Sequence, residues 1–170
     1  MNRNIIILIC IVVTSIGIYL GVSYYESKNM KDIRPAMDLV ANEPFPNVQL
    51  EAENNKVIDF NSLGKRKKVI FIISTRCQIC NEKKEYFDKF AAYLQKQGID
   101  PIVIYQDRKK ISFKRYKNMK GQYRLLNDKF RLTNITPTML LLDDNNKIVE
   151  IEIGIDENRK LIEKITNFEW

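Results

Sequence analysis

The chain has 170 residues and carries 28 Lys and Arg against 21 Asp and Glu, a formal net charge of +7, with 3 Cys and no His. Its length suggests one domain or at most two, and a content of 45% hydrophobic and 29% charged residues excludes wholesale disorder. Because His is absent, Ser-His-Asp triads, Cys-His pairs and His-liganded metals are excluded, and three Cys are too few for a four-thiolate zinc site.

The N-terminus begins with an uncharged apolar run from Ile5 to Val22. With the residues that follow it, this run covers roughly 30 Å as a helix, which is enough to cross a bilayer. We predict a transmembrane anchor at residues 1–25 rather than a cleaved signal peptide, because the run is long for the apolar part of a signal peptide. Cys10 is expected to be a lipid-facing thiol without a role. A polar linker at residues 26–43 and one folded domain at residues 44–170 complete the predicted organisation.

Strands and a helix alternate in the first part of the folded domain. Short alternating apolar runs on both sides of Asn54-Asn55 predict a β-hairpin. The continuous apolar run from Lys68 to Ser74 predicts a central strand that is buried on both faces. Apolar residues then recur at helical spacing from Ile79 to Leu94, and Gly98 ends this helix. A second buried strand is predicted from Ile102 to Tyr105.

The second part of the domain predicts further helices and another hairpin. The basic segment from Arg108 to Met119 is predicted to be helical, and a short helix is predicted within Leu125 to Leu132. Two apolar runs, Thr138 to Leu142 and Ile148 to Ile153, are joined by an Asp-Asp-Asn-Asn turn and predict a hairpin. An apolar stripe within Leu161 to Phe168 predicts a last helix.

Two cysteines, Cys77 and Cys80, lie where the predicted central strand gives way to the helix. A thiol at a helix N-terminus is close to unpaired N–H groups and to the positive end of the helix dipole, which stabilise its thiolate. A spacing of two residues brings the sulfurs within bonding reach, so that one can attack a disulfide and the other can resolve the product. Half of a zinc site and two inert buried thiols are the alternatives, and we expect no metal.

The order of these elements resembles the thioredoxin fold, and in particular its redoxin or TlpA-type branch. The resemblance implies an α/β domain with a central mixed sheet flanked by helices, preceded by an N-terminal β-hairpin extension. It covers most of residues 44–170. The segments that carry it are Glu43 to Leu50, Asn61 to Lys65, the apolar strand with Cys77-Gln78-Ile79-Cys80, Asp128 to Leu132 and Ile135 to Thr138.

The resemblance implies roles for five residues of the site. Cys77 would be the attacking nucleophile and Cys80 the resolving thiol, and their disulfide would be the redox-active group, with no other cofactor. Pro137 matches the family's cis-proline, and Thr136 before it would offer backbone hydrogen bonds to an extended substrate. A trans, turn-forming Pro137 is the alternative. Arg76, next to Cys77, is placed with Thr136 and Pro137 among the substrate-binding residues.

Three positions depart from the family pattern. Arg76 replaces the usual Trp, Phe71 replaces the buried Asp of thioredoxin, and Lys83 replaces the TlpA-type Glu. No proton-handling acid and no redox direction are therefore predicted. Arg76 and Lys83 would favour the thiolate if they face it, and they would have no such effect if they point into water.

Members of this branch are commonly tethered outside the cytoplasmic membrane by one N-terminal helix. We therefore predict a single-pass, extracytoplasmic thiol–disulfide oxidoreductase whose partners are exported Cys proteins, apocytochromes c among them, and a membrane redox partner. No recognition motif accompanies the positive charge, so a nucleic-acid partner is not expected. The alternatives are a peroxiredoxin-like peroxidase, with Ser74 three residues before Cys77, a thioredoxin-fold Cu(I) chaperone, and a structural domain with vestigial Cys.

Overall fold

The computed structural model describes residues 12–21, 34–107, 116–127 and 129–154. The chain divides into two compact units, Met1–Ile33 and Arg34–Trp170. In the first unit, residues 12–21 form a helix, α1. Among the described residues, no helix has both the length and the apolar character needed to span a membrane. Most of the predicted anchor, and the predicted last helix, lie outside the described residues.

The second unit is built on one mixed sheet. Its described elements are β1 (Gln49–Ala52), β2 (Val57–Asp59), a 3₁₀ helix (Phe60–Leu63), β3 (Lys68–Ile73), α2 (Gln78–Glu82), α3 (Lys84–Lys96), β4 (Asp100–Tyr105), β5 (Gly121–Leu125), β6 (Thr138–Leu142) and β7 (Ile148–Ile153). The strands lie in the order β2-β1-β5-β4-β3-β6-β7. Strands β3, β4 and β5 are parallel, whereas the other neighbouring pairs are antiparallel. This α/β architecture and both predicted hairpins are confirmed.

Strand β3 is the centre of the hydrophobic core, because all six of its residues are buried. Successive side chains of a strand point to opposite faces of the sheet, so β3 contributes to two separate clusters. Phe71 packs with Phe87 and Phe90 of α3, with ring centroids 5.5 and 6.0 Å apart in edge-to-face geometry. On the other face, the neighbouring Ile70 and Ile72 join a second cluster, formed with side chains from β1 and from the loops.

Two predicted helices are wrong in their described parts. Residues 116–120 are not helical, and residues 121–125 form β5 instead of leading into a helix. The described residues between Leu125 and Leu132 contain no helix either. Strand β5 pairs with β4 on one side and with β1 on the other. These long-range backbone hydrogen bonds, rather than the local side-chain pattern, determine the conformation of this segment.

The helix after the cysteines also differs from its prediction. It is divided at Lys83 into α2 and α3, and Ile79 is 51% exposed instead of lying on the buried face. The buried face is formed by α3 alone. Gly98 follows this helix with φ +75°, a left-handed conformation that glycine adopts without steric cost, as predicted.

Residues 34–43, which the sequence pattern assigns to the linker, pack against the sheet unit. Met37 N donates a hydrogen bond to Arg131 O at 2.9 Å, and Asn42 N donates one to Ile148 O at 2.7 Å. Arg34 is buried, with 4% of its surface exposed. Polar composition suggested a linker here, but these backbone hydrogen bonds include the segment in the folded unit.

Lys68 is a fully buried lysine at the start of β3. Its Nζ donates hydrogen bonds to Gly64 O, to Arg66 O at 2.8 Å and to Asn146 Oδ1 at 2.9 Å. Burial lowers the pKa of Lys68, because it removes the ammonium group from water, and the charge of Asp100 opposes this effect.

This lowered pKa predicts a pH-dependent stability. Just below the ordinary lysine pKa of 10.5, the unfolded chain still binds the proton that folded Lys68 has begun to release. The contribution of Lys68 to the free energy of unfolding therefore rises as the pH increases through this window. Lys68→Met should lose this rise, whereas Lys65→Met, at an exposed position, should keep it. Denaturant unfolding followed by circular dichroism at increasing pH measures the difference, and parallel curves for wild type and Lys68→Met would contradict the prediction.

Candidate functional site

Cys77 lies at the junction between the central strand and the helix that follows it. Strand β3 ends at Ile73, and Cys77 is the N-cap residue of α2 in extended backbone conformation. Its Sγ accepts a hydrogen bond from Cys80 N at 3.1 Å. The first N–H groups of a helix have no partner within the helix, so this sulfur occupies a position where negative charge is stabilised.

Cys77 and Cys80 form a disulfide, with an S–S distance of 2.07 Å and a Cα–Cα distance of 5.2 Å. Cys77 is 9% exposed, whereas Cys80 is fully buried in the cluster that contains Phe87. Tyr116 closes the site from the inside, because its hydroxyl donates to Cys80 O at 3.2 Å. Of the two sulfur-bearing residues, only Cys77 presents surface to a partner molecule.

The loop before β6 lies against the more exposed sulfur. The Thr136-Pro137 peptide bond is cis, and Thr136 O lies 3.5 Å from Cys77 Sγ. Pro137 is buried and Thr136 is half-buried. The structure therefore brings together Cys77, Cys80, Thr136 and Pro137, which the sequence places about sixty residues apart.

Arg76 lies at the exposed rim of the site, directly before Cys77. Its main-chain N donates to Ser74 Oγ at 3.2 Å, which holds the strand-to-helix loop in a tight turn. Lys83 lies one helical turn beyond Cys80, at the junction of α2 and α3. The substrate-binding role of Arg76 stays a prediction.

Two polar residues of the site, Gln106 and Asp107, were missed in the sequence. Asp107 Oδ1 accepts a hydrogen bond from Ser74 Oγ at 2.8 Å, and its Oδ2 accepts one from Thr75 N. Gln106 binds the loop that leads to Thr136, as described below. A signal was present, because the polar pair follows a buried strand, and the carboxyl ends of neighbouring parallel strands meet at one edge of a sheet.

Metal-binding side chains were also examined. Within the ranges that the structure describes, no three His, Cys, Asp or Glu side chains are close enough together to hold a metal ion.

A mixed sheet, a dithiol at the end of its central strand and a cis-proline loop beside that dithiol define a thioredoxin-like oxidoreductase. The family model described as Redoxin matches residues 40–167. The chain therefore belongs to the Redoxin family and is an oxidoreductase. A search of curated proteins found no match.

Solved structures support the thioredoxin-like fold. The thioredoxin domain of a thiol-disulfide oxidoreductase from Bacteroides vulgatus is 16% identical, with a TM-score of 0.56 over 75% of this chain and 99% of that one. A thiol:disulfide interchange protein from Bacteroides sp. is 19% identical, with a TM-score of 0.60 over 78% and 94%. A yeast mitochondrial 1-Cys peroxiredoxin is 15% identical, with a TM-score of 0.56 over 76% of each chain. At these identities, the similarity establishes the fold.

The unequal exposure of the two cysteines predicts unequal reactivity after reduction. We expect Cys77 to be alkylated by iodoacetamide at least ~10-fold faster than Cys80, because Cys77 is accessible and lies at a helix N-terminus. Mass spectrometry of reduced Cys80→Ser and Cys77→Ser variants, both in a Cys10→Ser background, compares the two thiols one at a time. Equal rates, or faster modification of Cys80, would contradict this order.

Proposed function

We propose that this protein is a membrane-anchored thiol–disulfide oxidoreductase that exchanges disulfides with exported Cys-containing proteins outside the cytoplasm. The observation that supports this most directly is the Cys77–Cys80 disulfide, with Cys77 as its exposed member and Thr136 O 3.5 Å from its sulfur. Apocytochromes c are among the proposed substrates. A membrane redox partner would restore the starting state of the dithiol.

The proposed reaction is a pair of thiol–disulfide exchanges. In the reduced enzyme, the Cys77 thiolate attacks one sulfur of a substrate disulfide and releases the other as a thiolate, which leaves a mixed disulfide. The Cys80 thiolate then attacks Cys77 Sγ, so that the second substrate sulfur leaves and the Cys77–Cys80 disulfide forms. Two electrons pass to the substrate. The same steps in reverse oxidise a substrate dithiol.

The surroundings of Cys77 suit a polypeptide substrate. The Thr136 carbonyl lies beside the sulfur and is available to an extended chain that places its own disulfide against Cys77. Ile79 and Ile135, which belong to the two loops of the site, are 51% and 52% exposed. Arg76 adds a cation at the exposed rim. We propose that these residues contact the substrate on either side of its cysteine.

The contacts of Ser74 weigh against the peroxidase alternative. Its hydroxyl donates to Asp107 Oδ1 and accepts from Arg76 N, so that it stabilises the loop rather than offering a proton to a peroxide at Cys77. The Cu(I) chaperone alternative would have to use Cys77 and Cys80 without His, since the chain contains none.

Single cysteine substitutions test the exchange reaction. In a Cys10→Ser background, Cys77→Ser should reduce the catalysed reduction of insulin disulfides to the uncatalysed rate, because no exposed nucleophile remains. Cys80→Ser should instead accumulate mixed disulfides, visible on non-reducing gels, because the resolving thiol is gone. The parent with both cysteines is the matched control.

The same assay separates the alternatives. Full activity in Cys77→Ser would contradict the proposed mechanism. Peroxide consumption that exceeds disulfide exchange would favour the peroxidase, and stoichiometric Cu(I) retention without exchange would favour the chaperone.

The apolar character of the N-terminus supports the proposed anchor. The uncharged run extends from Ile5 to Val22, and its described part is helical. Large apolar side chains of α1 are exposed, Val13 by 62%, Ile18 by 67% and Leu20 by 60%. Exposing such a surface to water is unfavourable, whereas lipid tails would cover it.

Labelling of intact cells tests both the anchor and its orientation. In a Cys10→Ser background and after mild reduction, a membrane-impermeant maleimide should modify Cys77 on intact cells, and the protein should remain with membranes in alkaline carbonate. A Cys77→Ser, Cys80→Ser variant is the unlabelled control. Modification only after lysis would contradict the extracytoplasmic placement, and extraction by carbonate would contradict the anchor.

A further inference from the structure

Gln106 holds the cis-proline loop from the end of the neighbouring strand. It directly follows β4, is 5% exposed, and its main-chain N donates to Ile73 O at 3.1 Å. Its side-chain Nε2 donates to Thr133 O at 3.1 Å, and its Oε1 accepts from Thr133 N at 3.1 Å. Both halves of one amide therefore bind both main-chain groups of one residue, which fixes that residue in position as a strand partner would.

The position of Thr133 is transmitted to Thr136 through a chain of short contacts. Thr133 Oγ1 accepts a hydrogen bond from Ile135 N at 3.2 Å, and Thr138 Oγ1 donates one to Ile135 O at 2.7 Å. Ile135 is therefore held on both its main-chain groups, although its side chain is exposed. Thr136, which follows it, presents its carbonyl to Cys77 Sγ.

Asp107, the next residue, holds the opposite loop of the site. Its carboxylate binds Ser74 Oγ and Thr75 N, and Ser74 O in turn accepts a hydrogen bond from Cys77 N at 3.1 Å. Two consecutive residues at the end of β4 thus bind the two loops that a substrate must contact at once, one loop carrying the attacking sulfur and the other carrying Thr136.

We propose that Gln106 and Asp107 are positioning residues that set the gap between Cys77 Sγ and the Thr136 backbone, and thereby favour polypeptide disulfides over small ones. This inference rests on the proposed exchange reaction at Cys77. A polypeptide must align its disulfide with the sulfur while its backbone meets Thr136, and displacements of about 1 Å can cost roughly 10²-fold in rate. Glutathione disulfide has only to reach the sulfur.

The selectivity ratio tests the proposal. Gln106→Met keeps the length of the side chain but removes both hydrogen bonds to Thr133. We expect kcat/KM for a disulfide-bonded polypeptide to fall by about 10-fold, while the rate with glutathione disulfide changes by less than about 2-fold. Gln95→Met is the matched control, because it removes a Gln Nε2 to main-chain O bond, to Asn118 at 2.6 Å, at the far end of α3.

The ratio separates positioning from a merely structural role. A variant that only loses folded protein would lower both rates in proportion, and this outcome would overturn the proposal, as would an unchanged ratio. Asp107→Asn is the second variant, in case Gln106→Met does not fold. It keeps an acceptor for Ser74 and replaces the one for Thr75 N, and it should shift the ratio in the same direction. Wild-type protein that exchanges neither substrate would refute the proposed function itself.

Discussion

Parallel hydrogen bonding between β3 and β4 is the constraint on which the site depends. The two strands pair in register from Lys68 with Asp100 to Ile73 with Tyr105, so that both end at the same edge of the sheet. The loop to Cys77 and the Gln106-Asp107 pair therefore leave the sheet side by side. Strand β6 is antiparallel to β3 and begins at this same edge, where Thr138 pairs with Ile72. The Thr136-Pro137 bend is thereby delivered to the sulfur from the opposite chain direction.

The hydrophobic core also determines the difference between the two cysteines. Cys80 belongs to the cluster that β3 and α3 build around Phe71 and Phe87, whereas Cys77 lies at the edge of that cluster. Burial in apolar surroundings disfavours a free thiolate, and accessibility at a helix N-terminus favours one. The different environments thus separate the roles of two chemically identical side chains. The core that stabilises the fold also protects the resolving thiol from outside molecules.

Local patterns predicted those parts of the fold that local physics determines. A continuous β-branched run can only satisfy its burial in a central strand, and the turn residues between β6 and β7 specify a hairpin, so both were predictable. Strand β5 was not, because Leu125 is in a strand through its pairing with Leu50, which is distant in sequence. The cysteines were recognisable by their spacing and the cis-proline by resemblance. Gln106 escaped notice, because its partner at Thr133 is defined only by the folded loop.

Arg34 connects the start of the folded unit to this same loop. Its guanidinium donates to the main-chain oxygens of Asn127, Phe130 and Gln106, and is buried among them. The family match, by contrast, begins only at residue 40. A shortened, water-soluble form trimmed to that match would discard the cation that these three oxygens share, and with it a support behind the substrate-facing loop. The practical boundary for such a form lies before Arg34, several residues upstream of where family similarity alone would put it.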